Sequence, residues 1–190
     1  IRILSGEIIM KEAIQLSYKN AQDAIELFNA HESNIDKSVD LSERIAAAYN
    51  NGNKPLICGN GGSICDALHF AEELTGRYRK NRRALPAIAI ADPGHITCVA
   101  NDFGYDDVFS RGVEAHGKPG DIFIGMSTSG NSENIIRATN KAKEMGLTTV
   151  ALLGKDGGKL KGVSDIEFII PGETADRIQE VHMMILHVVI

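Results

Sequence analysis

The sequence predicts an α/β fold, a three-layer sandwich on a five-stranded parallel sheet with helices ahead of it. Two observations carry that expectation. Five short apolar runs, at 56–59, 87–90, 122–126, 149–153 and 166–170, show little polar alternation. Strands with one face in water alternate, whereas strands covered on both faces do not. Each run is closely followed by Gly, Asn, Ser or Asp, and most then lead into helical patterns, at 63–74, 96–103, 131–145 and 174–190. Strands alternating with helices give a parallel sheet sheathed on both sides, here in a flavodoxin-like arrangement.

Ahead of the sheet, residues 11–50 read as helical. Ala13, Ile14, Leu16, Ala21, Ala24, Ile25 and Leu27 form one interrupted apolar face. A second helix covers about 35–49, and Asn51-Gly52-Asn53 stops it. Residues 1–9 have no positive n-region, continuous apolar stretch or small-residue cleavage site, so they are not read as a secretory signal. They are expected to be extra sequence ahead of a start at Met10. Residues 10–190 then form one domain, a helical preface over 10–50 and an α/β core over 54–190, without repeat or dividing linker. The apolar end at 186–190 carries no C-cap, and the last helix is expected to continue past it.

Composition excludes several classes. Twenty basic against twenty-five acidic residues give −5 and a pI near 5.7, without the general field that nucleic acid or anionic membrane requires. Three cysteines with no C-x-x-C pair argue against a disulfide scaffold or zinc ribbon and for the cytosol. No apolar run reaches the roughly 18 residues needed to span a bilayer.

Three turns after strands are rich in residues that suit a ligand. They are Gly59-Asn60-Gly61-Gly62-Ser63, Ser127-Thr128-Ser129-Gly130-Asn131-Ser132 and Gly154-Lys155-Asp156-Gly157-Gly158-Lys159. Glycines admit close backbone approach, and N–H groups opening a helix favour an anion. The second turn holds four hydroxyls in six residues. Gly59-x-Gly61-x-x-Ile64 lacks the third glycine of the dinucleotide fingerprint, and 154–159 lacks the spacing and the Ser/Thr of a Walker A loop. Ordinary turns and caps use the same residues, but three at one sheet edge favour a phosphate-bearing ligand.

His69 and Glu73 lie four apart on the helix after the first turn, so they share a face. Such a pair binds a metal, works as acid and base, or simply decorates a surface. On the last helix Gln179, His182 and His187 stand amid apolar residues, where a lone histidine is more often part of the core. The run from Arg77 to Arg83 carries five positive charges in seven residues, either a solvated loop or a source of arginine for an anionic substrate.

Taken together, Cys58-Gly-Asn-Gly-Gly-Ser63, Cys65-Asp-Ala-x-His69-Phe-Ala-Glu-Glu-Leu-Thr-Gly-Arg-Tyr78, Asn101-Asp-Phe103, Ser127-Thr-Ser-Gly-Asn-Ser132, Gly154-Lys-Asp-Gly-Gly-Lys159 and Ala175-Asp-Arg-Ile-Gln-Glu180 resemble the sugar isomerase (SIS) domain, and most closely its bacterial phosphoheptose isomerases. The resemblance runs from about Met10 to the end. It implies interconversion of sedoheptulose 7-phosphate and D-glycero-D-manno-heptose 7-phosphate, which feeds the activated heptoses of lipopolysaccharide. It also implies a cytoplasmic homotetramer with active sites at subunit interfaces and one zinc per subunit. The zinc ligands implied are His69, Glu73, Gln179 and His187. The implied substrate contacts are Asn60, Gly61, Gly62, Glu73, Asn101, Asp102, Ser127, Thr128, Ser129, Ser132 and Gln179.

Moving a carbonyl between C1 and C2 through an enediol needs a base to carry a proton between carbons and an acid to exchange oxygen protons. Glu73 is the expected base and His187 the acid, with Asp176 assisting and Arg77 reaching a neighbouring subunit's ligand. Two alternatives share the fold. One is the SIS-type adaptor that binds the replication initiator DnaA, which lacks equivalents of Glu73 and His187. The other is a different sugar-phosphate isomerase or a muramic acid phosphate etherase.

Overall fold

Two amphipathic helices lead into the sheet of this computed structural model, which describes residues 7–190 and, for side chains, residues 9–190. Helix α1 (Glu7–Asn29) and α2 (Glu32–Asn50) are separated by Ala30 and His31. The break is held by the buried Asn34, whose Nδ2 donates to the Phe28 carbonyl at 2.8 Å. Then follow β1 (Pro55–Gly59), α3 (Gly62–Thr75), β2 (Ile88–Ala89), α4 (Pro93–Asp102), a 3-10 turn at Tyr105–Asp107, α5 (Val108–His116) and β3 (Ile122–Ser127). The chain closes with α6 (Glu133–Glu144), β4 (Thr148–Gly154), β5 (Ile166–Ile170) and α7 (Ala175–Val188).

All five strands are parallel, in the order β2-β1-β3-β4-β5, the doubly wound arrangement expected. Their apolar runs feed two cores. Ile57, Ile124, Met126, Val150, Leu152 and Phe168 pack on one face with Leu41, Phe70, Ile178 and Ile185 from α2, α3 and α7. Leu56, Cys58, Phe123, Ala151 and Leu153 pack on the other with Val99, Phe109 and Ile135 from α4, α5 and α6. Successive strand residues face opposite layers, so a strand buried twice shows no polar alternation.

The structure corrects the reading in three places. Helix α1 does not bury the apolar face expected of it; Ile14, Leu16 and Leu27 are more than half exposed, and only Ala24 and Phe28 reach the core. The expected strand at 87–90 shortens to two residues beside Pro86, as befits an edge. Helix α5 was not anticipated. Its Gly112 disguises it, yet a Cβ there would overlap the Ile90 side chain, so glycine is what lets α5 lie against the sheet edge. Residues 7–9, read as extra sequence, belong to α1, while residues 1–6 lie outside the described residues.

His182 on α7 is fully buried, with Nε2 3.0 Å from the Leu153 carbonyl and Nδ1 without a partner. Burial pushes its pKa down to about 4 from 6.5, against the Leu153 hydrogen bond. Below pH 6.5 the unfolded chain takes up a proton that the native chain refuses until about pH 4, so stability falls with pH over that window. From pH 7 to pH 5 this group alone costs about 2 kcal/mol of unfolding free energy. Guanidinium unfolding at the two pH values measures the loss, and His182→Leu is expected to remove that share of it.

Candidate active site

Strands β1 and β3 are neighbours, yet β1 feeds α3 on one face and β3 feeds α6 on the other. Their turns diverge at the carboxyl edge of the sheet, where open α/β folds bind ligands. Gly61 makes the first departure possible, with φ +56° at the N-cap of α3. At Gly62 a Cβ would stand 2.5 Å from Gln179 Oε1, so any side chain there would displace the Gln179 amide.

Side chains lace the two turns together. Asn60 and Asn134 exchange amide hydrogen bonds, Nδ2 to Oδ1, at 2.9 Å in each direction. Tyr105 donates its hydroxyl to the same Asn60 oxygen at 2.9 Å. Ser127 Oγ and Ser132 Oγ lie 3.0 Å apart across the second turn, and Ser129 Oγ accepts from the Asn131 N–H. Asn101 and Asp102, at the end of α4, remain exposed, with Asn101 Nδ2 donating to Asp102 Oδ1 at 2.8 Å.

The third glycine turn packs directly against the second. Cβ atoms on Gly130 and Gly158, both left-handed, would overlap the Gly157 carbonyl and crowd the Ser129 carbonyl, respectively. The Leu160 N–H donates to the Gly130 carbonyl, and the Lys159 N–H to Asn131 Oδ1. These glycines seat the hydroxyl turn.

Further along α3, His69, Glu73 and His187 meet. His69 Nε2 lies 3.3 Å from Glu73 Oε1 and 3.2 Å from His187 Nε2. All three ligand atoms fall within 4.8 Å of one another. Tetrahedral zinc with bonds of about 2.0–2.1 Å sets its ligand atoms roughly 3.3 Å apart, so two imidazoles and a carboxylate at this spacing fit zinc. Tyr78 fixes His187, stacking on its ring at 5.9 Å and 4° and donating to its carbonyl at 2.9 Å. Arg82 donates to the Glu73 and Leu74 carbonyls at 2.9 Å each, capping the end of α3. Part of the basic run is therefore structural. Burial pushes the Asp66 carboxyl up, with His69 opposing.

Gln179, expected on the metal, donates to Ser63 Oγ at 3.3 Å and lies eight residues before His187 on the same helix. Asp176 is exposed, its carboxyl held down by Thr174 and the Arg177 N–H, and Arg77 is exposed. Asn134, Tyr105, Tyr78 and Arg82 were not singled out for these roles. Only the position of Asn134, two residues past Ser132, hinted at its part.

The chain matches the SIS domain family over residues 18–154, a span that ends before α7 and so before His187. A phosphoheptose isomerase of Fusobacterium nucleatum is 60% identical over 174 residues, covering 92% of this chain and 90% of its own length. The chain belongs to the phosphoheptose isomerase family. A family member from Vibrio cholerae is 52% identical over 181 residues, 95% of each chain. The solved structure of phosphoheptose isomerase from Neisseria gonorrhoeae aligns with a TM-score of 0.87 at 36% identity, covering 95% of this chain and 96% of that one. With relatives of this identity and coverage the adaptor alternative is not favoured.

The seating of the phosphoheptose isomerase fold's hydroxyl turn can be tested directly. Gly130→Ala is expected to lower stability by about 2–4 kcal/mol, combining left-handed strain with overlap of the Gly157 carbonyl. Thermal unfolding measures it, and an unshifted midpoint would show that the two turns do not depend on each other.

Proposed function

We propose that the protein is an aldose–ketose isomerase that converts sedoheptulose 7-phosphate to D-glycero-D-manno-heptose 7-phosphate, the entry to activated heptose synthesis. The observation that carries this is the meeting of Glu73 and His187 on helices α3 and α7, whose other residues Gly62 and Gln179 lie side by side at the first glycine turn. His69 stands seven residues beyond Gly62, about 10 Å along α3. An extended seven-carbon chain, with six bonds of roughly 1.5 Å, covers a comparable span. The phosphate is taken by backbone N–H groups of Gly61 and Gly62 and by the hydroxyls of Ser127, Thr128, Ser129 and Ser132. Asn101, Asp102 and Gln179 contact the sugar.

At the far end Glu73 Oε1 carries the proton between C2 and C1, and His187 gives and takes the oxygen protons. Anchoring the phosphate lends binding energy from a non-reacting group to the orientation of C1 and C2. Zinc held by His69, Glu73 and His187, with Gln179 as fourth ligand, would supply Lewis-acid polarisation of the substrate oxygens. Arg77, exposed just past the end of α3, reaches a neighbouring subunit's ligand. The reading includes a cytoplasmic homotetramer with interfacial sites. Uncovered apolar residues on α1 and an apolar groove of about 530 Å³ lined by Phe28, Ile35, Val39, Met184 and Val188 support the assembly. Among the described residues no helix is long and apolar enough to cross a membrane.

Purified protein given sedoheptulose 7-phosphate is expected to yield the aldoheptose phosphate. Glu73→Gln and His187→Gln are each expected to lower kcat about 10²–10⁴-fold while leaving sedimentation unchanged. No turnover by the wild type, with firm binding to an initiator protein, would transfer the chain to the adaptors. Zinc is expected at one equivalent per chain by elemental analysis, falling at least tenfold in His69→Ala. Its addition should raise the unfolding midpoint of the wild type alone.

A further inference from the structure

Asn134 is 3% exposed, sits in the first turn of α6 and makes its side-chain hydrogen bonds with Asn60, across the divide between β1 and β3. Both lone-pair directions of Asn60 Oδ1 are taken, one by Asn134 Nδ2 and one by Tyr105 Oη, and one of its two N–H groups is given to Asn134 Oδ1. A primary amide offers two acceptor and two donor positions. The Asn60 side chain therefore keeps a single N–H for anything else. The 3-10 turn that carries Tyr105 is itself tied to α6, since Arg137 bridges Asp107 at 3.0 Å and Glu133 at 3.2 Å.

We propose that Asn134 and Tyr105 are positioning residues of the sugar-phosphate site: they lock the Asn60 amide in one orientation, so that its side chain meets only an acceptor oxygen of the substrate. Asn134→Ala frees the Asn60 amide to rotate and present its oxygen, which repels a phosphate oxygen and no longer donates to a sugar oxygen. Tyr105→Phe removes one of the two bonds holding that oxygen and leaves the ring in place. Because the lock acts on binding in ground and transition states alike, its loss raises KM more than it lowers kcat. This inference rests on the isomerase reading.

The test is a double-mutant cycle on the full chain with sedoheptulose 7-phosphate. Asn60→Ala and Asn134→Ala are each expected to raise KM about tenfold, and the double variant to match Asn60→Ala within about twofold. Tyr105→Phe is expected to raise KM about threefold in the wild type and not at all on the Asn60→Ala background. Tyr105 is exposed, so its variant serves even where Asn134→Ala fails to fold. A merely structural Asn134 would lower the unfolding midpoint with KM unchanged, or add its effect to that of Asn60→Ala; either result overturns the proposal. Wild-type protein that neither binds nor turns over the sugar phosphate would instead defeat the isomerase reading, and the positioning role with it.

Discussion

Two adjacent parallel strands, β1 and β3, send their chains to opposite faces of the sheet, and the rest of the molecule is arranged around that parting. The parting opens a crevice at the strand ends and leaves two helix N-termini beside it. It also creates a structural liability, since nothing in the backbone ladder joins the two departing turns. The side chains meet that need. Asn60 and Asn134 close the gap with a pair of neutral hydrogen bonds, and Ser127 with Ser132 closes the turn behind them.

Charge plays a smaller part than a phosphate-binding protein suggests. The chain is acidic overall, and three of its arginines, Arg79, Arg82 and Arg137, are engaged within the chain. Arg82 holds helix carbonyls, Arg79 lies over the Tyr78 ring at 4.8 Å, and Arg137 is bracketed by acids. Oriented N–H groups and hydroxyls recognise a single anion locally, and they do so without the salt sensitivity of a broad positive surface.

The architecture was legible wherever burial is two-sided, because apolar runs between helical patterns report it without ambiguity. Helix α5 was not, since Gly112 answers to Ile90, a partner twenty-two positions earlier that no local pattern reveals. The α1 face was legible as apolar, but not as uncovered, because a sequence does not say which partner covers a face. Among site residues, the helical spacing of His69 and Glu73 was visible, and their meeting with His187 came from the resemblance. Asn134 and Tyr105 act through Asn60 across seventy-four and forty-five positions, distances at which spacing carries no information.

The contact between the second and third glycine turns has a consequence for how such a site changes. Gly130 and Gly158 leave no room for a side chain between the backbones that enclose the hydroxyls. The hydroxyl turn therefore has the β4 turn as its mould, and a residue inserted in one would be ejected by the other. Altering the anion this crevice accepts is a two-loop problem, in which both turns must be recast together.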